Sequence, residues 1–311
     1  MRVPALIIGG SGFVGRNLAR RLESQGEEVV VLDRNPDATG SFTGYFIQGD
    51  AQDATSLKTA LAEVRPTDLY HLAANSDISA GVADASLDFG DTLMTTLAIR
   101  AAVVEVPVDR LIFASSSAIF GISDQPLGEE SDQLPAPVSW YGKAKLASEY
   151  VLESLSARLP NLPILTVRFP NVVGPLATHG VVFDFVRKLM ADPGRLDVLG
   201  DGNQTKPYVH VTELIDGIQF FLGGLEAGVT RVNIGPVDLV DVKGIVAEVC
   251  ASLDVDPEIT YQDSPFGWPV DVPRYEFDTS KMRNSGFSIE TTSREAVRRA
   301  AEDLAREWNG A

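Results

Sequence analysis

The sequence is short of cysteine, of basic side chains and of long apolar runs. It has one cysteine, Cys250, in 311 residues. No disulfide can therefore form within the chain, which is typical of a reducing compartment. The 26 lysines and arginines stand against 43 aspartates and glutamates, giving a net charge of −17. Nucleic acids and anionic membranes bind basic patches, so neither is expected as a partner.

No stretch is apolar for long enough to cross a bilayer, and residues 1–10 lack the basic region and cleavage site of a signal peptide. We therefore expect a cytoplasmic protein. The three histidines, His71, His179 and His210, have no ligand spacing with cysteine or acidic residues, so no metal site is predicted. Hydrophobic residues make up 44% of the chain, which is enough for a full core.

Strand-like and helix-like patterns alternate through the first half of the chain. Apolar runs predict strands at 3–8, 28–33, 45–50, 69–75, 110–117 and 163–169. Helical spacing of apolar residues predicts helices at 13–24, 56–64, 92–105 and 139–159. This alternation indicates an α/β fold with a parallel sheet and helices on both faces.

Proline and glycine cluster after Arg168, in 168–180 and 199–211, and this change indicates a smaller C-terminal substrate-binding region. Segments 212–222 and 231–235 resemble returns to the main sheet. We predict a first domain at 1–168 with returns near 207–235. The substrate-binding region is predicted at 169–206 and 236–311.

Three glycines, Gly9, Gly12 and Gly15, lie between the first strand and the first helix. Glycine lets the backbone turn tightly and approach a pyrophosphate, and the helix N-terminus adds free N–H groups. The next strand ends in Asp33, whose carboxylate suits the ribose hydroxyls of NAD and would repel the 2′-phosphate of NADP. Arg34 could serve such a phosphate, so NADP stays an alternative.

Tyr141 and Lys145 are four residues apart in a predicted helix and therefore share one face. An ammonium group beside a phenol stabilises the phenolate and so lowers the pKa of the tyrosine from its usual value of about 10. Such a phenolate can accept a proton from a sugar hydroxyl while hydride leaves the same carbon. The pair therefore indicates oxidation and reduction of a carbinol.

Together these motifs resemble the extended short-chain dehydrogenase/reductase family, in particular its NAD-dependent sugar-nucleotide epimerases and dehydratases. The Gly9-x-x-Gly12-x-x-Gly15 spacing, the pair Gly49-Asp50 and the segments HLAAN at 71–75 and RFPNVVGP at 168–175 match, and the resemblance covers nearly the whole chain. It implies a Rossmann-type doubly wound parallel sheet. It also implies a homodimer that pairs helices 92–106 and 140–159 of two copies.

The resemblance also assigns site residues. The implied catalytic residues are Ser116, Tyr141 and Lys145, and Ser117 is the alternative register for the serine. The implied NAD contacts are Gly9, Gly12, Phe13, Val14, Gly15, Asp33, Arg34, Asp50, Ala51, Leu72, Ala73, Ala74, Ser115, Tyr141, Lys145, Pro170 and Val172. The implied substrate contacts are Asn75, Ser117, Asn171, Lys206, Arg274 and Tyr275.

The chain departs from the family pattern in its substrate region. Lys206 stands where arginine is usual, and lysine supplies charge to a diphosphate without a bidentate fork. The segment DVPRYEFDTSK at 271–281 resembles a closing motif, but its usual upstream arginine is missing and Arg274 is the candidate substitute. Tyr275 matches a position that limits sugar size, which implies a non-acetylated hexose.

Two residues favour one reaction over others. Related 4,6-dehydratases carry an Asp-Glu pair where Ser117 and Ala118 stand, and uronate decarboxylases carry a glutamate at Ala118. Without an extra acid or base, we expect a 4-epimerase of the UDP-glucose/UDP-galactose type, which oxidises C4 to a 4-keto sugar and returns the hydride. The alternatives are a 4,6-dehydratase, a uronate decarboxylase, a 4-keto reductase, and an NAD-binding regulatory protein that is not an enzyme.

Overall fold

A computed structural model describes residues 4–36, 40–123, 126, 128–129, 136–267 and 272–310. The strands are β1 (Ala5–Ile8), β2 (Val29–Asp33), β3 (Tyr45–Gln48), β4 (Asp68–His71), β5 (Arg110–Ala114), β6 (Pro163–Arg168), β7 (Asn171–Val173), β8 (Arg195–Val198), β9 (Thr205–Lys206), β10 (Tyr208–His210), β11 (Gly228–Asn233), β12 (Val240–Asp241) and β13 (Glu258–Tyr261). The helices are α1 (Phe13–Ser24), α2 (Ala54–Val64), α3 (Ile78–Ala83), α4 (Ala85–Asp88), α5 (Thr95–Glu105), α6 (Trp140–Arg158), α7 (Val181–Ala191), α8 (Val211–Leu222), α9 (Val242–Leu253), α10 (Ser280–Asn284) and α11 (Ser293–Gly310). A π-helical turn, Phe89–Met94, joins α4 to α5, and a 3₁₀ turn, Ser117–Ile119, follows β5.

Seven strands form the main sheet in the order β11-β6-β5-β4-β1-β2-β3. The first six strands in the chain pair in parallel. The strand order reverses at β1, which lies between β2 and β4, and ligands of such sheets bind at the carboxyl ends of the strands beside this reversal. The expected Rossmann-type α/β fold is confirmed.

Continuous burial explains why these strands occupy the middle of a covered sheet. All residues of β1 and β4 are buried, and so are the first four of β2. Strands buried on both faces read as unbroken apolar runs rather than as alternating patterns. Helices α2, α5 and α6 cover this core with apolar side chains that include Leu61, Ile99 and Leu152.

The chain forms two compact units. The first contains 1–119, 137–168 and 218–232, and it includes nearly all of the main sheet. The second contains 120–136, 169–217 and 233–311. The predicted domain bounds, with 1–168 and returns near 207–235 in the first domain, stay a prediction. Which ligand each part binds stays a prediction.

A separate apolar core holds the second unit together. Helices α7, α9 and α11 contribute Val186, Ile245 and Val297, which are fully buried. Three two-stranded sheets accompany them: β7 with β10, β9 with β12, and β8 with β13. The pair β7–β10 is parallel and the pair β9–β12 is antiparallel.

Within the described ranges, no helix combines the length and apolar character needed to span a membrane. The same residues contain no group of three or more His, Cys, Asp or Glu side chains placed to hold a metal ion.

Leu111 provides a test of the sheet core, because it lies in the middle of the sheet on β5 and is fully buried. The substitution Leu111→Ala leaves a cavity, so we expect the free energy of unfolding to fall by about 2–5 kcal/mol. Leu87, which is 39% exposed on α4, is a matched control, and Leu87→Ala should cost about 0.5 kcal/mol. Chemical unfolding of both variants measures the difference, and equal losses would contradict this placement of the core.

Candidate active site

The turn between β1 and α1 needs glycine because its backbone lies directly against the backbone of Ala73. Gly9 has a φ of +81°, and a Cβ on it would lie 2.5 Å from the backbone nitrogen of Ala73. A Cβ on Gly15 would lie 2.6 Å from the Cα of Gly10. Gly12 caps α1 without a side-chain hydrogen bond, and the first turn has no acidic residue. The first turn of α1 therefore carries no carboxylate of its own that would compete with a phosphate.

Asp33 ends β2 beside this turn. Its carboxylate accepts hydrogen bonds from the backbone N–H groups of Ser11 and Asn35, both at 3.0 Å. The buried Ser11 Oγ has no hydrogen-bond partner among the described residues. A fixed carboxylate, an uncapped helix N-terminus and an unpartnered hydroxyl fit the ribose and pyrophosphate of a dinucleotide.

Arg34 lies among carboxylates. Its Nη2 is 2.9 Å from Asp91 Oδ2, and Gln52 Nε2 also donates to Asp91. The hydrogen bond with Asp91 raises the pKa of Arg34, and the charges of Asp50 and Asp33 add to the rise. A guanidinium held by this group of acids is poorly available to a 2′-phosphate, so its surroundings favour NAD over NADP.

The remaining predicted cofactor contacts of the first unit lie at carboxyl ends of its strands. Asp50 and the buried Ala51 follow β3, and residues 72–74 follow β4 directly. Phe13 and Val14 open α1, and Ser115 follows β5. Their direct contacts with NAD stay predictions.

Helix α6 lies against the turn after β5, and this contact brings the predicted catalytic residues together. Ser139 caps the helix by accepting from the backbone N–H of Gly142 at 3.0 Å. A Cβ on Gly142 would collide with the carbonyl oxygen of Ala118. The side chain of Ser116 hydrogen-bonds the phenol of Tyr141. Because Gly142 has no side chain, α6 can come this close to the backbone of Ala118.

Lys145 is buried one turn further along α6. Its Nζ donates to the carbonyl oxygen of Ala114 at 2.6 Å and lies 5.7 Å from the centre of the Tyr141 ring. It also lies 5.0 Å from the centre of the Phe113 ring. The ammonium group is thus fixed to the end of β5 and faces the aromatic ring beside it.

Burial shifts the pKa values of Tyr141 and Lys145 in opposite directions. It raises the pKa of Tyr141 to about 12, with a further rise from the charge of Asp88 and an opposing effect of the hydrogen bond with Ser116. It lowers the pKa of Lys145 to about 7, and the charge of Glu149 opposes that fall. In the protein alone, therefore, the tyrosine holds its proton and the lysine titrates near neutral pH.

The three consecutive serines have different partners. Ser115 Oγ donates to Glu149 Oε1 at 2.5 Å. Ser116 Oγ accepts from the backbone N–H of Ala118 at 3.1 Å and hydrogen-bonds Tyr141. Ser117 begins the 3₁₀ turn. This arrangement favours Ser116 as the serine of the site, and its role stays a prediction.

Asp88 is a residue of this region that the sequence reading missed. It is 1% exposed, and its Oδ1 accepts from Asn75 Nδ2 at 3.0 Å. Gly81 leaves the room that its Oδ2 occupies, since a Cβ there would collide with that oxygen. Burial raises the pKa of Asp88, and the hydrogen bond from Asn75 opposes that rise. The predicted substrate residue Asn75 therefore holds a carboxylate whose charge reaches Tyr141.

Apart from Ser117, the other predicted substrate residues lie in the second unit. Asn171 Nδ2 is 3.4 Å from the hydroxyl of Tyr275 and 3.3 Å from the carbonyl oxygen of Pro207. Thr205 forms a bridge with Arg274, and next to Thr205 the side chain of Lys206 is buried. These contacts bring the predicted substrate residues of this unit into one neighbourhood.

The remaining predicted site residues of the second unit differ in burial and in their partners. Arg274 Nη2 pairs with Glu276 at 2.5 Å, and its side chain is 64% exposed. Pro170 is buried near Gly235, and Val172 pairs with Val209 between β7 and β10. Asp271, which opens the predicted closing motif, lies outside the described residues.

Known proteins of one family match this chain in sequence and in fold. The model of the NAD dependent epimerase/dehydratase family matches residues 5–235. A UDP-glucose 4-epimerase of Mycolicibacterium smegmatis is 28% identical over 293 residues, which cover 89% of this chain and 90% of that protein. A dTDP-glucose 4,6-dehydratase of Xanthomonas campestris pv. campestris is 26% identical over 307 residues, with 90% and 86% covered.

A crystal structure of a UDP-galactose 4-epimerase superimposes on this chain with a TM-score of 0.86 and 30% identity, covering 98% of this chain and 99% of that one. The matched family depends on NAD, in agreement with the free helix N-terminus and with Asp33. The resemblance inferred from the motifs is confirmed, and the chain belongs to the NAD dependent epimerase/dehydratase family.

Proposed function

We propose that the protein is a nucleotide-sugar 4-epimerase that interconverts UDP-glucose and UDP-galactose. The observation that carries the proposal is the set Ser116, Tyr141 and Lys145, in which a serine hydroxyl and a buried amine lie against one phenol. Positions 117 and 118 are serine and alanine, so no acid or base stands beside this set in the sequence. The epimerases of similar sequence and fold support the same activity.

Each member of the set has a proposed task at the C4 hydroxyl of the sugar. Tyr141 accepts the hydroxyl proton and later returns it. Ser116 donates to the same oxygen and holds it at the phenol. Bound NAD supplies the hydride acceptor and, when oxidised, a positive ring. Lys145 in its ammonium form stabilises the phenolate. This help is needed because the pKa of Tyr141 is about 12 in the protein alone.

The second unit is proposed to hold the nucleotide sugar. Lys206 would carry positive charge to the diphosphate, with Arg274 as a second cation, and Asn171 would donate to the same group. Tyr275, hydrogen-bonded to Asn171, would limit the size of the sugar. Exposed apolar side chains on the π-helical turn, α5 and α6, among them Met94, Leu97 and Tyr150, agree with the proposed homodimer.

A 4,6-dehydratase is the second candidate, and Asp88 is the observation that favours it. Elimination of water needs a further acid or base near the phenol, and Asp88 is a buried carboxylate whose charge acts on Tyr141. A dehydratase is also among the relatives of similar length. The epimerase remains the preferred proposal because Asp88 is 1% exposed and is held by Asn75.

Incubation of the NAD-loaded protein with UDP-glucose, followed by NMR of the products, tests the reaction. We expect UDP-galactose to form without net release of NADH, because the hydride that leaves C4 returns to C4. The same incubation in deuterated water labels C5 if elimination takes place. A 4-keto-6-deoxy product would exclude the epimerase.

Replacing the phenol tests the proposed base. Tyr141→Phe removes the group that accepts the proton, so we expect turnover to fall by at least about 10²-fold while NAD stays bound. Tyr150→Phe is a matched control, because Tyr150 is 54% exposed on the same helix and should keep full activity. Substantial turnover in Tyr141→Phe would show that another group is the base.

Asp88 gives the reaction a predicted pH dependence. Its negative charge raises the pKa of Tyr141, and the phenolate is the active form above that pKa. Asp88→Asn removes the charge, so the acid limb of the kcat profile should move to lower pH. Asp84→Asn, at an exposed carboxylate that caps α4, is the control and should leave the limb in place. A limb that does not move in Asp88→Asn would mean that Asp88 does not act on the base.

A further inference from the structure

Glu149 lies at the centre of a buried polar cluster that the proposed reaction does not use. It is 3% exposed on α6, four residues after Lys145 and eight after Tyr141, so all three lie along one side of the helix. Arg168, at the end of β6, donates to it through Nε at 3.0 Å and through Nη2 at 2.7 Å. Arg231, on β11, has its Nε at 3.6 Å.

Two hydrogen bonds connect this helix to the end of β5. Ser115 Oγ donates to Glu149 Oε1 at 2.5 Å, and Lys145 Nζ donates to the carbonyl oxygen of Ala114 at 2.6 Å. Two residues one turn apart on α6 therefore bind Ala114, the last residue of β5, and Ser115, the residue that follows it. The next residue in the chain is Ser116, so its position depends directly on both contacts.

Glu149 also provides a negative charge near Lys145. Burial disfavours the ammonium form, and the charge of Glu149 acts against this effect. On β4, burial and the charge of Lys145 keep the pKa of His71 well below its usual value, so His71 stays neutral and adds no charge beside Lys145. From β5, Lys145 meets the uncharged Phe113 ring and the Ala114 carbonyl.

We propose that Glu149 is a positioning residue that fixes Ser116 through Ser115 and keeps Lys145 in its ammonium form. The two arginines orient the carboxylate for this task. The proposal rests on the proposed hydride chemistry at Tyr141, in which a positive Lys145 is required. A carboxylate that served only to pair with Arg168 could be replaced together with that arginine without loss of kcat.

The test uses the NAD-loaded protein with ¹³C-labelled lysine. Lys145 titrates near 7, apart from ordinary lysines, and a spectrum of Lys145→Arg assigns its signal. In Glu149→Gln we expect its titration to move to lower pH by about one unit and turnover at neutral pH to fall about fivefold. The alkaline limb of the kcat profile should move with the titration.

Three further variants separate charge, geometry and stability. Glu149→Asp keeps the charge but shortens the reach to Ser115, so kcat should fall while the titration of Lys145 stays in place. Glu153→Gln is the matched control, because Glu153 lies one turn further along α6 and also pairs with Arg231. It should match the wild type within about twofold in turnover. Glu149→Gln with Arg168→Gln removes the unpaired buried guanidinium and restores stability.

Two results would overturn the proposal. One is an unchanged titration of Lys145 in folded Glu149→Gln. The other is the recovery of wild-type kcat in the double variant, which would reduce Glu149 to one half of a structural ion pair. The lysine titration needs no substrate. If the wild type fails to interconvert UDP-glucose and UDP-galactose, the epimerase proposal fails and the titration still decides the role of Glu149.

Discussion

The hydrogen bond from the buried ammonium of Lys145 to the last carbonyl of β5 is the contact on which the candidate active site depends. It joins the helix that carries the phenol to the strand that the serine follows by two residues. Burial lowers the pKa of Lys145 and so disfavours its charged form, while the charge of Glu149, one turn away, opposes this effect. Such a buried polar cluster is stable only while each of its members has its partners.

Close backbone contact explains how a simple α/β sheet provides these positions. The missing side chain of Gly142 lets α6 reach the turn after β5, and the missing side chain of Gly9 lets the first turn touch Ala73. The contact at Gly142 lies beside the proposed catalytic residues, and the contact at Gly9 lies in the proposed dinucleotide site. Each small residue thus has its place because two elements distant in sequence must meet there.

Local pattern was sufficient to predict the sheet and the glycine turn. Apolar runs marked the buried strands, and Asp33 ended the second of them. The roles of Asp88 and Glu149 could not be predicted in this way, because burial and partners that are distant in the chain define both. The charge of Asp88 acts on Tyr141, 53 positions later in the chain, and Glu149 hydrogen-bonds Ser115, just after β5, and Arg168, on β6. Nothing in the neighbouring residues of either acid indicates those partners.

The buried cluster around Glu149 includes one residue that comes much later in the chain than the others. Ser116, Tyr141, Lys145 and Glu149 are all present once the first 168 residues exist. Arg231 is on β11, which joins the sheet beside β6 after the long excursion of the chain into the second unit. During synthesis, the carboxylate beside the catalytic lysine therefore obtains its second arginine only when the chain has returned to complete the seventh strand.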